Sequence, residues 1–329
     1  RLVPAAGYPF RSIRISGFQR KLTVKNIARN VRTVARVFTS SAHAKQILRE
    51  FQPDICVGTG GYVSGPVIRE AIRLGIPAVI HEQNAFPGVT NKMLSKHANR
   101  TMLAVEDAQK HLDASARCVL TGNPVRQEVI RADRAKARAK LGLDSRPMIL
   151  SFGGSLGART INEACADLIA ADAKSGRYQH IHGYGQYGKW FPDLLREKGV
   201  DPDTCPGVTV KEYITDIPDC LAAADLVICR AGAITLSEIQ AQGRASILIP
   251  SPNVAENHQY HNAMALVRRG AAELLEEKDL TGESLIQRVE ELFRDPDKLR
   301  SLSENAKKTA ILDANERIYQ VIREVLAEG

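Results

Sequence analysis

Short apolar runs alternate with longer stretches of helical spacing along this chain. Asp54–Val57, Ala78–His81, Arg117–Leu120, Met148–Phe152, His180–Gly183, Val208–Tyr213, Leu226–Cys229 and Ser246–Ile249 read as strands, as does Arg14–Ser16 near the start. These runs are rich in apolar and β-branched residues, with turn-forming residues between them. Thr160–Ala173, Thr235–Gln242 and His258–Arg268 instead carry apolar residues three or four positions apart, the spacing of a helix face. Alternation of this kind predicts an α/β architecture with parallel sheets. A break at Gly142–Pro147 (GLDSRP) separates two such series, so the domain boundary falls there, between residues 1–143 and 144–311. Asp313 with Glu316 reads as a capping box before Ile318, Val321, Ile322 and Val325, which starts a last helix, 312–329, near Ala314.

Length and composition narrow the class. The 329 residues suffice for two cores, and 44% apolar with 25% charged residues excludes a disordered or collagen-like chain. No apolar run approaches the roughly 18–20 residues of a membrane span. The six cysteines never fall as C-x-x-C, which argues against a disulfide framework or a zinc site and for a reducing cytoplasm.

The net charge of +8 is unevenly placed. Residues 1–49 hold eleven Lys or Arg and no Asp or Glu, which leaves 34 basic against 37 acidic residues in the rest of the chain. Within Leu22–Phe38, Ile27, Val31, Val34 and Phe38 follow helical spacing. Lys25, Arg29, Arg32 and Arg36 repeat it two residues earlier, on roughly the opposite face. The basic stripe reads either as a solvated face or as a surface for anionic lipid. The first residue is Arg1, not Met, and the expectation is that the N-terminus is incomplete.

Three turns carry candidate chemistry. Gly58–Pro66 (GTGGYVSGP), Gly153–Ala158 (GGSLGA) and Arg230–Thr235 (RAGAIT) each follow a strand and precede a helix. Glycine there lets backbone approach a phosphate, and the helix N-terminus offers unpaired N–H groups. Each alone reads equally as a tight turn, but three together favour a phosphate-bearing ligand in an interdomain cleft. None is a dinucleotide fingerprint, and no P-loop is present.

Glu238 follows the third turn and is either a ribose-diol acceptor or a first-turn complement to the helix dipole. Arg126, in GNPVR, is either a fork for a diphosphate or a surface arginine. His81-Glu82-Gln83-Asn84 groups polar residues at a strand end, as ligand contacts or loop braces. His258 reads as a capping or packing residue before it reads as a ligand contact. Asp201-Pro-Asp203 and Asp295-Pro-Asp297 read as turns and caps, not a metal site.

Taken in order, GTGGYVSGP, HEQNAFPGVTNK, GNPVR, GGSLGA, RAGAITLSE and NHQYHNA resemble the MurG family of bacterial glycosyltransferases, from Arg14–Gly17 (RISG) to the terminal helix. These enzymes transfer N-acetylglucosamine from UDP-N-acetylglucosamine to undecaprenyl-diphosphate-linked N-acetylmuramoyl-pentapeptide, lipid I to lipid II. The resemblance implies a glycosyltransferase-B fold, two Rossmann-like domains facing a cleft. The N-terminal one would take the acceptor and the membrane side, joined by the last helix, and the C-terminal one the donor. It implies a donor site of Asn84, Arg126, Ser155, Ile214, Ala233, Ile234, Thr235, Leu236, Ser237, Glu238 and Gln259. Glu238 would hold the ribose and the backbone near Ile214 the uracil. Ser155 and Arg126 would meet the diphosphate, with Asn84 and Gln259 toward the sugar. The implied transfer is inverting, onto the muramoyl 4-hydroxyl, and needs no metal or cofactor. The implied location is peripheral, on the cytoplasmic face of the cell membrane, with an anionic surface as partner and no nucleic acid.

The family's opening β-α-β unit, with a GGTGGH-type loop that holds a candidate base, matches nothing here. The base is therefore unnamed, with His81 and Glu82 as fallbacks. Competing readings are a diacylglycerol glycosyltransferase, a UDP-N-acetylglucosamine 2-epimerase, or a truncated donor-binding fragment. An acceptor assay separates the two transferases.

Overall fold

The computed structural model describes residues 2–13 and 39–328. The strand expected at Arg14–Ser16 and the whole of the amphipathic stretch Leu22–Phe38 lie outside the described residues. Within them the chain forms two compact units. The first comprises Arg1–Thr121 with Asn315–Gly329, and the second Gly122–Ala314.

In the first unit α1 (Leu2–Ala5) and α2 (residues 39–51) precede β1 (Cys56–Gly58), α3 (Gly61–Arg73), β2 (Ala78–Glu82) and α4 (Val89–Leu94). β3 (Arg100–Leu103) and β4 (Cys118–Leu120) complete a parallel sheet in the order β1-β2-β3-β4. The sequence reading had no strand at Arg100–Leu103. Arg100 and Thr101 hide it, yet Thr101, Met102 and Leu103 are buried between β2 and β4. The last helix, α14 (Ala314–Glu328), starts where its expected cap places it. Its Val321 and Val325 pack on Val79 and Met102.

The second unit opens with α5 (Gln127–Arg131) and α6 (Arg134–Lys140). It continues β5 (Met148–Phe152), α7 (Arg159–Ala173), β6 (Gln179–Gly183), α8 (Phe191–Glu197), β7 (Val208–Lys211), α9 (Ile217–Ala223) and β8 (Leu226–Cys229). Then come α10 (Ala233–Gln242), β9 (Ala245–Leu248), α11 (His258–Val267), β10 (Glu273–Leu274), α12 (Gly282–Arg294) and α13 (Pro296–Lys308). Residues 122–143, read from the sequence as part of the first domain, contribute Val125, Val129 and Ala137 to the core of this unit. The GLDSRP break is thus a turn between α6 and β5.

All strands of the second sheet are parallel, in the order β10-β9-β8-β5-β6-β7. The inner strands are near-continuous apolar runs, as burial on both faces requires. β8 is buried along its whole length, with cores on either side. Strand order reverses beside β5, so the chain leaves β5 toward one edge and β8 toward the other. Open α/β sheets bind ligands at the carboxyl ends of strands at such a reversal.

Candidate active site

At that reversal, β5 runs into Gly153–Ala158 and then into α7. Gly154 and Gly157 have φ of +94° and +85°, the left-handed region that favours glycine. A Cβ on Gly157 would lie 2.3 Å from the Tyr184 carbonyl oxygen, so the turn presses directly on the following loop. That loop fixes it further. The N–H groups of Gln186 and Tyr187 donate to the carbonyls of Ser155 (3.1 Å) and Leu156 (3.0 Å). Asn162 Nδ2 donates to Tyr184 O at 2.9 Å. With two carbonyls of the turn committed to the 184–188 loop, and no side chain capping α7, the first-turn N–H groups of a 15-residue helix remain available for an anion.

The turn forms one wall of an open groove of about 510 Å³. Arg159, Thr160, Arg230, Ser251, Asn253, Gln259 and Glu277 line the rest. Gln259 Oε1 accepts from Ser251 N at 2.9 Å. Arg230, the residue after β8, donates through Nη1 to the carbonyls of Ile249 (3.2 Å) and Pro250 (3.1 Å), and its Nη2 is ion-paired with Glu277. Among the described residues, no hydrogen bond joins a groove-lining hydroxyl to a side-chain base. Burial pushes the Cys229 thiol at the end of β8 up to about 12, which leaves it an inert packing group.

The third turn leads into α10, where a polar cluster gathers. Arg126 Nε and Nη2 donate to Glu238 Oε1 at 3.0 and 2.8 Å. Glu238 is buried while Arg126 is half exposed. Asn123 Nδ2 donates to Ser237 Oγ at 3.1 Å and Ser237 Oγ to Ala233 O at 3.1 Å. Elsewhere in the unit, Ile214 is buried with its side chain over Gly183.

In the first unit, β2 extends through His81 and Glu82, both buried. Glu82 braces the loop after it. Oε1 accepts from Asn84 N (3.0 Å) and Nδ2 (3.1 Å), and Oε2 from Gly88 N (3.1 Å) and Asn91 Nδ2 (2.8 Å). Gln83 Nε2 contacts His81 Nδ1 at 3.1 Å and donates to Thr59 O at 3.0 Å, which ties this strand end to the first glycine-rich turn.

The glycosyltransferase family 28 C-terminal domain matches residues 148–318, and the N-terminal domain of the same family matches residues 1–103. A protein of Acetivibrio thermocellus is 41% identical over 327 residues, 99% of this chain and 86% of that protein. One of Bacillus cytotoxicus is 42% identical over 99% of this chain and 87% of its own length. Both are named UDP-N-acetylglucosamine–N-acetylmuramyl-(pentapeptide) pyrophosphoryl-undecaprenol N-acetylglucosamine transferase. The crystal structure of Acinetobacter baumannii MurG superposes with a TM-score of 0.77 at 28% identity, covering 98% of this chain and 87% of that one.

The chain belongs to the MurG family.

Its two parallel-sheet units are those of a glycosyltransferase-B fold. Measured against the site that MurG resemblance implies, Ser155 and Gln259 line one groove. Arg126, Ala233, Ser237 and Glu238 form a second cluster around α10, with Ile234, Thr235 and Leu236 on the same helix. Arg126 and Glu238, assigned to different parts of a donor, hold each other. Glu238 sits in the second turn of α10, past the first-turn position where a helix dipole would account for it. Asn84 belongs to the first unit, held on Glu82.

His258 opens α11 with Nδ1 2.8 Å from Ala255 O, a capping contact. Asp201 and Asp295 accept backbone N–H groups of Asp203 (3.3 Å) and Lys298 (2.9 Å), so both Asp-Pro-Asp stretches are turns or caps. The sequence reading missed Glu277, Asn253 and Asn162. Glu277 lies in a charged run, Glu276–Asp279, that looks solvated in one dimension, and only the pairing of β8 with β9 and β9 with β10 brings it to Arg230.

Proposed function

We propose that this chain transfers N-acetylglucosamine from UDP-N-acetylglucosamine to undecaprenyl-diphosphate-linked N-acetylmuramoyl-pentapeptide, converting lipid I to lipid II. The carrying observation is identity of about 41% over 99% of the chain with proteins named for that transfer. The groove supports it. Its glycine-rich turn and the N-terminus of α7 suit the donor diphosphate, where charge builds as the sugar leaves.

In this reading the muramoyl 4-hydroxyl attacks the anomeric carbon and the bond to the β-phosphate oxygen breaks. The hydroxyl proton passes to a base, UDP departs, and an α-linked donor gives a β-1,4 product. Arg126 engages only Oε1 of Glu238, which leaves Oε2 as an acceptor for a ribose hydroxyl. Ser155 meets the diphosphate, Gln259 the sugar, and the backbone of Ile214 the uracil. Glu82, whose oxygens accept four hydrogen bonds, we assign to bracing and not to proton transfer. No helix among the described residues is long and apolar enough to cross a membrane. The basic residues of 1–49 would bring the enzyme to its lipid acceptor at an anionic cytoplasmic leaflet.

The test is incubation with UDP-N-acetylglucosamine and a lipid I analogue, beside a parallel reaction offering diacylglycerol. The expected outcome is a β-1,4-linked disaccharide lipid and UDP from the first mixture alone. Transfer to diacylglycerol, or epimerisation of the donor without transfer, would reject the assignment.

A further inference from the structure

The donor groove contains a carboxylate, an unexpected group beside a site for an anion. Glu277 opens a short 3-10 helix, Glu277–Asp279, and lines the groove together with the turn at Gly153–Ala158. The side chains of Arg230 and Glu277 are only 14% and 19% exposed. Arg230 cannot easily follow a ligand, because Nη1 is spent on two backbone carbonyls and Nη2 on Glu277. The other charged side chain lining the groove, Arg159, is paired with Glu163 at 2.8 Å. Every groove-lining cation among the described residues therefore already has a carboxylate partner.

This arrangement bears on the difference between substrate and product, and it rests on the donor-site reading above. In a sugar nucleotide each phosphate carries one charge. Once the sugar has left, the terminal phosphate of the nucleoside diphosphate ionises again with a pKa of about 6, so the product carries nearly one more negative charge at neutral pH. A fixed carboxylate in the wall disfavours that extra charge more than it disfavours the donor. We propose that Glu277 is a positioning residue that holds Arg230 as its counter-ion and thereby sets the groove to bind the sugar nucleotide in preference to the free nucleoside diphosphate, which favours product release.

Calorimetric dissociation constants of UDP and UDP-N-acetylglucosamine for the full chain test this. Glu277→Gln should tighten UDP about threefold to tenfold more than the sugar nucleotide near pH 8, as expected for removing one charge at the rim of a solvated groove. The difference should nearly vanish near pH 5, where the terminal phosphate of UDP is about nine-tenths protonated. Glu277→Asp should keep the parent ratio. If Glu277→Gln fails to fold, Glu277→Ser, which admits water beside Arg230, should show the same selective tightening. Equal changes for both ligands, or weaker UDP binding, would reduce Glu277 to a loop tether and overturn the inference. A parent protein that binds neither ligand would overturn the donor-site reading itself.

Discussion

Arg126 and Glu238 lie 112 residues apart and meet through two hydrogen bonds to a single carboxylate oxygen. Neither residue announces the other in the sequence, where Arg126 reads as a diphosphate fork or a surface arginine and Glu238 as a ribose acceptor or a complement to the helix dipole. Because Arg126 is half exposed, their pair adds little to stability, under about 1 kcal/mol. Glu238→Ala should accordingly melt close to the parent and yet lose UDP affinity by about 2–4 kcal/mol, read by calorimetry. A different buried group governs behaviour in acid. His182 is hydrogen-bonded to Ser151 Oγ at 2.8 Å and stacked on Phe191, and burial pushes its pKa down to about 3. A histidine with a depressed folded-state pKa favours folding in its neutral form. Its contribution is whole above the ordinary value near 6.5 and is lost as pH falls toward 3. Asp172 acts in the same direction. Burial alone would raise it, but hydrogen bonds from His180, Ser175 and the Tyr178 N–H hold it below the usual carboxylate range. Through His182, urea midpoints should fall between pH 6.5 and pH 5 by the equivalent of about 2 kcal/mol, a slope that His182→Gln should flatten, whereas the loss through Asp172 begins only below about pH 4.

The β5–turn–α7 unit shows which elements a sequence discloses. Met148–Phe152 and Leu226–Cys229 were legible with their observed bounds, because strands buried on both faces leave unbroken apolar runs. The reading of a strand over Val208–Tyr213 runs two residues past the ladder, since Tyr213 and Ile214 continue the aromatic and apolar pattern beyond Glu212. Glu273–Leu274, only two residues, left no pattern to find. The glycine-rich turns were legible because glycine's freedom is a local property. What holds the turn at Gly153–Ala158 was not, since Tyr184, Gln186 and Tyr187 reach it from after β6. Gly157→Ala tests that contact. Its φ of +85° and the nearby Tyr184 oxygen should make the substitution cost about 1–3 kcal/mol and weaken UDP binding together, as followed by thermal melts and calorimetry. A variant with unchanged melting and unchanged affinity would mean the turn is free to re-form elsewhere.

Across the whole molecule, charge is segregated by sequence, with the basic excess confined to residues 1–49. Replacing Lys25, Arg29, Arg32 and Arg36 together by Gln should reduce sedimentation with anionic vesicles and leave UDP affinity unchanged. Salt should weaken the parent's binding in the same assay, because exposed charges are screened within about 8–10 Å. Equal binding by the variant, or a preference of the parent for neutral vesicles, would leave the stripe a solvated face. The reversal of strand order beside β5 also constrains how the protein is made. β5 pairs with β6, its successor, and with β8, which the chain reaches only after β6, α8, β7 and α9. The turn at Gly153–Ala158 and the 184–188 loop that holds it are made first, whereas Arg230 follows Ala158 by 72 residues, Gln259 by 101 and Glu277 by 119, and none can take its place until β8 and β9 have docked. Contacts of such long sequence separation are slow to form. Nucleotide binding should therefore appear among the last events of refolding, as a signal that the sheet has closed in its proper order, and a nascent or misassembled chain would present no groove with which to hold the donor.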